Sequence, residues 1–211
     1  MLSVVQIFER LKPDAPDSSR ISIVPAPDST RAVDRGGTSV DLRLGRWFRS
    51  FRQSQDRYYP LYHSDEKRQS THRPMNTKEH FVPFGDEFVL HPNRFVLGVT
   101  LEWLSLPADL SGYVTGKSSL GRHGLVIETA AGIHPRFSGC LTLELANVGE
   151  VPLVLSPGME VCQIFLHETV AADSGTVGTF SGRRKPSVEL PKKDEIFDRL
   201  HGNAVDDSPG G

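Results

Sequence analysis

Three kinds of residue that together could handle a phosphorylated ligand meet between Gly116 and Glu144. The small residues Gly116, Ser118, Ser119 and Gly121 let a ligand approach the backbone, whose N–H groups can hold phosphate oxygens. Lys117 and Arg122 add positive charge, and Glu144 adds a carboxylate that can move protons. The stretch predicts a phosphorylated small molecule whose chemistry happens at its other end. The same residues also allow a plain turn followed by a solvated strand glutamate.

Glu144 lies in an alternating stretch that predicts a strand over Cys140 to Asn147. Successive strand residues point to opposite faces, so Leu143 and the leucines two positions away face one side. Thr142 and Glu144 face the other side. A glutamate in that position contributes to catalysis only if its face lines a cleft.

The sequence lacks the motifs of two well-known kinds of nucleotide site. Ser111 occupies the place of the first glycine of a Walker A loop, so the stretch is not a P-loop. The zinc nucleobase deaminases need His-x-Glu and Pro-Cys-x-x-Cys, and neither occurs in this sequence. We predict no metal site in the protein and no zinc. Any hydrolytic deamination would then use a carboxylate to shuttle protons.

Length and composition indicate one globular domain with terminal arms. The chain has 211 residues, of which 37% are apolar, and a formal net charge of −2. This charge gives no general attraction to nucleic acid, and no apolar run reaches the roughly 18 residues of a membrane span. Cys140 and Cys162 sit in apolar strand patterns that predict buried, reduced thiols. We predict a cytoplasmic protein that binds neither nucleic acid nor membrane.

Turn signals separate many short β segments, which predicts a mainly β sandwich or barrel. One short helix begins at Ser3, which has capping-box spacing with Gln6, and another covers Asp194 to His201. Pro157-Gly158 is typical of a type II turn with glycine at positive φ. The predicted strands cover residues 21–24, 38–45, 81–84, 87–90, 94–101, 112–115, 125–127, 140–147, 151–155 and 161–167.

The segment 49–80 is polar and mixes basic residues with aromatic ones. Such a mixture can bind single-stranded nucleic acid, but acidic residues dilute its charge and no nucleic-acid-binding motif accompanies it. We predict a loop or hairpin insertion within a domain over residues 1–187. Residues 188–211 are predicted to form a C-terminal arm and a disordered tail.

Residues 116–125, Gly-Lys-Ser-Ser-Leu-Gly-Arg-His-Gly-Leu, resemble the signature loop of dCTP deaminases, which share their fold with trimeric dUTPases. The early strand 38–44 and the run Leu141-Thr142-Leu143-Glu144-Leu145 are similar to the same family, as is Pro157-Gly158-Met159. The resemblance covers residues 4–48 and 80–187.

The resemblance implies a distorted β-barrel and a homotrimer with active sites shared between subunits. It implies zinc-independent hydrolytic deamination of dCTP to dUTP and ammonia, with Mg²⁺ carried by the triphosphate. Glu144 matches the family's catalytic glutamate, and Ser118 and Arg122 match residues that position the water, the glutamate and the phosphates. The implied substrate-binding residues are Lys117, Ser118, Ser119, Leu120, Gly121, Arg122, His134, Thr142, Leu143, Glu144, Phe180 and Arg183.

The chain departs from the family pattern at three places, one of which is the segment 49–80, which is longer than the family pattern implies. His134 stands where the family has an Asp that activates water in dUTPases and in deaminases that also hydrolyse dUTP, and Glu128 is a nearby carboxylate that could substitute. In the C-terminal arm, Phe180 takes the place of a Tyr and Arg183 that of a Gln. Two alternatives therefore stay open. One is a dUTPase or a bifunctional dCTP deaminase/dUTP pyrophosphatase, and the other is a non-catalytic nucleotide-binding protein on the same fold.

Overall fold

The computed structural model describes residues 1–30, 37–53, 61, 75–128, 132–170, 182–188 and 195–200. The predictions for Phe180 and for the disordered tail concern residues outside these ranges, as does most of the segment 49–80. The chain divides into two compact units. The first joins Met1–Ser50 to Lys78–Ser187, and the second joins Phe51–Thr77 to Val188–Gly211.

The described residues are mainly β, as the turn-separated segments predict. The strands are β1 (Ser22–Val24), β2 (Ser39–Arg43), β3 (Trp47–Phe51), β4 (Thr77–Phe81), β5 (Phe88–Leu90), β6 (Phe95–Val99), β7 (Trp103–Ser105), β8 (Leu110–Gly116), β9 (Leu125–Glu128), β10 (Ser138–Gly139), β11 (Thr142–Asn147), β12 (Leu153–Leu155) and β13 (Glu160–Glu168). The helices are α1 (Val4–Leu11), α2 (Ser118–Gly121) and α3 (Glu195–Leu200). None of the helices among the described residues has the length and apolar character to cross a membrane.

In the described part of the chain the strands form four sheets. A five-stranded sheet has the order β4-β3-β6-β11-β9, and a three-stranded sheet has the order β2-β13-β8. The other two have the orders β1-β7-β10 and β12-β5. The first sheet carries Glu144 and β9, the strand that follows the signature loop, and the second carries β8, the strand that precedes the loop.

Helix α1 begins as its sequence predicts. Ser3 Oγ accepts from Gln6 N at 3.3 Å, and Ser3 N donates to Gln6 Oε1 at 2.8 Å, which completes a capping box. Val4 and Ile7 are buried and place the apolar stripe against the core. The second predicted helix is also present, as α3.

The turn at Gly158 is confirmed, whereas several strands differ from the prediction. Gly158 has φ +93°, which only glycine adopts at little cost. The two ends of segment 49–80 belong to β3 and β4, which are neighbours in one sheet, and the sequence did not predict β7 and β10. Phe48 explains β3, because its fully buried ring stacks on Phe88 at 4.6 Å between centroids, a contact that no local pattern reveals.

The two cysteines differ in burial. Cys162 is fully buried, and burial raises the pKa of its thiol to about 12. Cys140 is only half-buried, so the prediction of a buried thiol holds for Cys162 alone. Burial also raises the pKa of Cys140, although Arg184 partly offsets that effect.

Candidate active site

The residues after β8 form one helical turn that exposes the predicted phosphate loop. Lys117 is the N-cap of α2, and its backbone N donates to Val161 O at 3.0 Å, which ties the loop to β13. Leu120 packs against the core and fixes the inner side of the turn. The exposed residues of the turn are Ser118, Ser119, Gly121 and Arg122. These side chains are therefore open to a ligand.

Gly116 and Gly121 are suited to their positions in the loop for different reasons. A Cβ at Gly116 would lie 3.0 Å from Ile127 Cβ and 3.2 Å from Ile127 O, so glycine there allows β8 to approach β9. A Cβ at Gly121 would meet no atom of the described chain within 4 Å. Packing therefore explains Gly116, whereas the open space at Gly121 suits the approach of an external group.

The side chain of Lys117 is held between two carboxylates. Its Nζ lies 2.9 Å from Asp41 Oδ2 and donates to Glu160 Oε2 at 2.8 Å. Each of the three side chains is only 18–20% exposed, so these contacts are partly shielded from water. Burial alone would raise the pKa of Asp41, but hydrogen bonds from Lys117 and Gln163 hold it below its usual value. We call Asp41, Lys117 and Glu160 the lysine triad.

Arg43 connects the lysine triad to a third carboxylate, that of the buried Glu102. Arg43 Nη2 lies 3.1 Å from Glu160 Oε1, and Arg43 N donates to Glu102 Oε2 at 2.9 Å. Glu102 is 4% exposed, and burial raises its pKa to about 7 despite the hydrogen bond from Arg43 N. Glu102 therefore changes charge near neutral pH.

A cavity of about 330 Å³ lies beside these side chains. Its charged lining residues are Asp28, Asp41, Arg43, Glu102 and Glu160. The volume suits a small molecule, but four carboxylates against one guanidinium repel a phosphate anion. The described residues that line the cavity do not include Glu144. The part of the chain that the structure describes has no group of three or more His, Cys, Asp or Glu side chains that could hold a metal ion.

Glu102→Gln is expected to remove a pH dependence of folding stability. The folded pKa of Glu102 lies above its ordinary value of 4.5, so the folded state keeps a proton that the unfolded state has lost between about pH 4.5 and 7. Wild-type stability therefore falls as the pH rises through this range, by about 3 kcal/mol. Urea unfolding measured between about pH 5 and 8 should show that the free energy of unfolding of Glu102→Gln rises relative to that of the wild type as the pH increases.

The exposed Glu87 offers a matched control for this measurement. Glu87→Gln should follow the wild-type curve at every pH, because its carboxylate stays in water in both states. Parallel curves for Glu102→Gln and the wild type would contradict the assignment of a buried titrating group.

Glu144 lies on the outward face of β11. Leu143 and Leu145 are buried on either side of it, so the predicted alternation is confirmed. Its Cα partners are Leu97 on β6 and Glu128 on β9. Within the described part of the chain its carboxylate has no hydrogen bond or ion pair. The carboxylate is therefore available to water or to a ligand.

The basic segment, residues 182–187, pairs with the chain just before β11. Gly182 N donates to Ser138 O at 2.6 Å, and Cys140 N donates to Arg183 O at 2.9 Å. These bonds align the segment with the residues that lead directly into the strand of Glu144. A shift of the segment would therefore act on the start of β11.

Two aromatic rings hold the basic side chains of this segment. Arg184 lies 4.9 Å from the centroid of Trp103, and Lys185 Nζ lies 3.9 Å from that of Trp47. Arg49 Nε donates to Pro186 O at 2.9 Å. The segment is thus fixed by side chains as well as by its backbone.

The model of the family described as "dCTP deaminase-like" matches residues 12–169. The chain belongs to this family. The match extends from before β1 to the end of β13 and includes both the signature loop and Glu144.

Curated relatives of this dCTP deaminase-like chain cover most of its length. A protein of Corynebacterium diphtheriae named "dCTP deaminase, dUMP-forming" is 41% identical over 157 residues, which are 71% of this chain and 80% of that protein. A protein of Halorubrum lacusprofundi named "dCTP deaminase" is 39% identical over 197 residues, which are 93% of this chain and 91% of that protein. The two names differ in whether dUMP is given as the product.

A solved structure supports the family's fold. The crystal structure of 2'-deoxycytidine 5'-triphosphate deaminase from Agrobacterium tumefaciens matches with a TM-score of 0.52 at 23% identity. The match covers 78% of this chain and 45% of that one, so this chain spans less than half of the other's length. At this identity the likeness concerns the fold alone.

In this dCTP deaminase-like chain, most of the predicted site residues lie on or beside α2 and on β11, two elements that β9 connects. Residues 118–121 form α2, which leads into β9, and β9 pairs with β11. Thr142 is half-buried and Glu144 exposed on β11, whereas Leu143 is fully buried. The Leu143 side chain therefore belongs to the core, and a substrate contact at that position would use its backbone.

The remaining predicted residues lie away from these elements. His134 is exposed and follows Ile133, whose backbone exchanges two hydrogen bonds with Gly112. The Arg183 guanidinium donates to Ser187 Oγ. The substrate roles of His134 and Arg183 stay predictions.

The sequence did not identify the partners of Lys117. Asp41 lies on the polar face of an alternating strand, and Glu160 follows the turn at Gly158. A half-buried lysine requires an anionic partner, so a local signal for some partner existed. Which carboxylates serve depends on the register that β13 takes against β2 and β8.

Proposed function

We propose that the chain catalyses the hydrolytic deamination of dCTP, releasing ammonia, as a hydrolase that acts on the C–N bond of a cyclic amidine. The observation that carries this proposal is the family match over residues 12–169, which includes an exposed Glu144 with no partner among the described residues. Curated relatives named dCTP deaminase support the substrate. The substrate is the Mg²⁺ complex of the nucleotide, so the metal arrives with the triphosphate.

The proposed chemistry uses one carboxylate twice. Glu144 takes a proton from water, and the resulting hydroxide oxygen bonds to C4 of cytosine while the proton moves to N3. Glu144 next takes the proton of the new hydroxyl group on C4 and passes it to the amino nitrogen. The C4–N bond then breaks, the carbonyl forms at C4 and ammonia leaves. Glu144 acts first as base and then as acid, and Ser118 and Arg122 position the water and the glutamate.

Arg122 and the serine residues of α2 are the proposed triphosphate contacts, with Phe180 and Arg183 contributed by the C-terminal arm. Lys117 starts this surface, but two carboxylates already offset its charge. We therefore assign a larger share of the phosphate attraction to Arg122, which is exposed. Lys117 acts on the phosphates chiefly by fixing the start of the loop.

We propose a homotrimer with a distorted β-barrel in each subunit and active sites shared between subunits. Ser118, Arg122 and Glu144 are all exposed in a single chain, and hydrolytic sites work best where bulk water is excluded. A second copy could supply that cover. Light scattering coupled to size-exclusion chromatography should give three times the mass of one chain. The cytoplasmic location stays a prediction.

The proposed product is dUTP rather than dUMP. His134 lacks the carboxylate that the resemblance associates with hydrolysis of dUTP. Incubation with dCTP, dCMP or dUTP in the presence of Mg²⁺, followed by separation of the products, tests both the substrate and the product. We expect ammonia and dUTP from dCTP, and no reaction of added dUTP.

Three other outcomes have distinct meanings in this experiment. Formation of dUMP and pyrophosphate from dCTP would identify a bifunctional enzyme. The Corynebacterium diphtheriae relative is named as dUMP-forming. Hydrolysis of dUTP without ammonia release from dCTP would identify a dUTPase. Tight nucleotide binding without any product would support a non-catalytic nucleotide-binding protein.

A further inference from the structure

Glu128 lies directly opposite Glu144 in the five-stranded sheet. The two residues are Cα partners on the antiparallel strands β9 and β11. Directly opposite residues project from the same face of a sheet, with Cβ atoms about 4.5–5.5 Å apart. Glu128 therefore presents its carboxylate beside that of Glu144.

The pair of negative charges at Glu128 and Glu144 does not stabilise the fold. Like charges directly opposite each other on a sheet are destabilising, and both side chains are exposed. In the described part of the chain, neither carboxylate has a hydrogen bond or ion pair that would compensate. A ligand with hydrogen-bond donors supplies the missing compensation.

We propose that Glu128 accepts a hydrogen bond from the amino group at C4 of the substrate and thereby selects cytosine over uracil. This inference rests on the proposed function, in which Glu144 acts at C4. A carboxylate beside Glu144 meets the substituent that C4 carries. Ionised carboxylates only accept hydrogen bonds, and the substituent of cytosine at C4 is a donor whereas that of uracil is an acceptor.

The same contact favours release of the product. Deamination replaces the amino group by a carbonyl oxygen, so an attractive contact at Glu128 becomes a repulsive one between two acceptors. The uracil nucleotide then leaves before its phosphates can react. The proposed role of Glu128 thus predicts dUTP as the product and weak binding of added dUTP.

The test compares binding of the two nucleotides with and without the carboxylate. Glu144→Gln and the double variant Glu144→Gln/Glu128→Gln are titrated with Mg²⁺-dCTP and Mg²⁺-dUTP in a calorimeter, so that turnover does not disturb the measurement. Glutamine at 128 can donate to the uracil oxygen as well as accept from the cytosine amino group. We expect the ratio of Kd for dUTP to Kd for dCTP to fall about 10-fold, chiefly because dUTP binds more tightly.

Two further variants in the Glu144→Gln background control for unrelated effects. Glu128→Asp keeps an acceptor and should retain part of the discrimination, whereas Glu87→Gln removes an exposed carboxylate elsewhere and should leave the ratio unchanged. Thermal unfolding should show Glu144→Gln/Glu128→Gln to be as stable as Glu144→Gln, because the side chain of residue 128 is exposed and makes no hydrogen bond or ion pair among the described residues. A ratio that stays at the Glu87→Gln value overturns the proposal, as does absence of binding of both nucleotides.

The result is separable from the proposed function. If the wild-type protein releases ammonia from dCTP but the binding ratio is unchanged, the proposed role of Glu128 is wrong and the deaminase activity is supported. A shifted ratio without ammonia release supports Glu128 as a cytosine selector and contradicts the deaminase.

Discussion

Replacing Glu144 with glutamine is expected to lower the rate of ammonia release from dCTP by about 10²- to 10⁴-fold, the range typical of a lost general acid–base group. Glutamine has nearly the same shape but cannot take a proton from water, so the attacking hydroxide no longer forms. Because Glu144 is exposed between the buried Leu143 and Leu145, the substitution leaves the core unchanged. Ammonia release at saturating dCTP measures the effect.

Two controls separate loss of chemistry from loss of structure. Glu144→Gln should unfold at the wild-type urea concentration and should still bind Mg²⁺-dCTP. Glu87→Gln, which removes another exposed carboxylate, should keep the wild-type rate. Ammonia release that persists in Glu144→Gln would falsify the assignment of this residue as the proton carrier.

Lys117→Met should lower the free energy of unfolding by about 2–4 kcal/mol. Removing one partner of a buried ion pair typically costs about 3–5 kcal/mol, because the other charge is left without compensation. In the lysine triad two carboxylates lose their common cation, but all three side chains are 18–20% exposed, which reduces the cost. Urea unfolding at neutral pH measures the difference.

The pKa of Asp41 determines how this difference changes with pH. The triad holds the pKa of Asp41 below its ordinary value of 3.8, so its stabilisation is present above that pH. It is lost as the pH falls through the lowered pKa of the folded state. The gap between wild type and Lys117→Met should therefore narrow in acid.

Lys12 provides the matched control for Lys117. Lys12 Nζ lies 2.8 Å from Glu9 Oε2, at a distance similar to those in the triad, but the two side chains are 53% and 61% exposed. Lys12→Met should leave the free energy of unfolding close to the wild-type value, because exposed ion pairs contribute little. The double variant Asp41→Asn/Lys117→Met should recover part of the loss, because one of the two carboxylates that contact Lys117 is then neutral. Equal losses for Lys12→Met and Lys117→Met would show that the triad contributes no special stability.

The capping box at Ser3 and the outward direction of Glu144 could be predicted because both depend on nearby residues. The capping box spans one helical turn, and strand side chains alternate with a period of two. The signature loop was recognised from ten consecutive residues, although the helical turn of α2 was not, since four residues carry little periodicity. Strand β3 was missed because the contact that explains it, Phe48 on Phe88, joins distant parts of the chain.

By itself the sequence determined the family, the mainly β character and the candidate proton carrier, because these follow from a signature loop and from local alternation. Only the tertiary structure decided which groups stand beside the functional ones. Strand register places Glu128 opposite Glu144, and the packing of β2, β8 and β13 brings Asp41 and Glu160 to Lys117. Asp41 and Glu160 are distant from Lys117 along the chain, and a shift of one residue in register would turn each strand side chain to the opposite face.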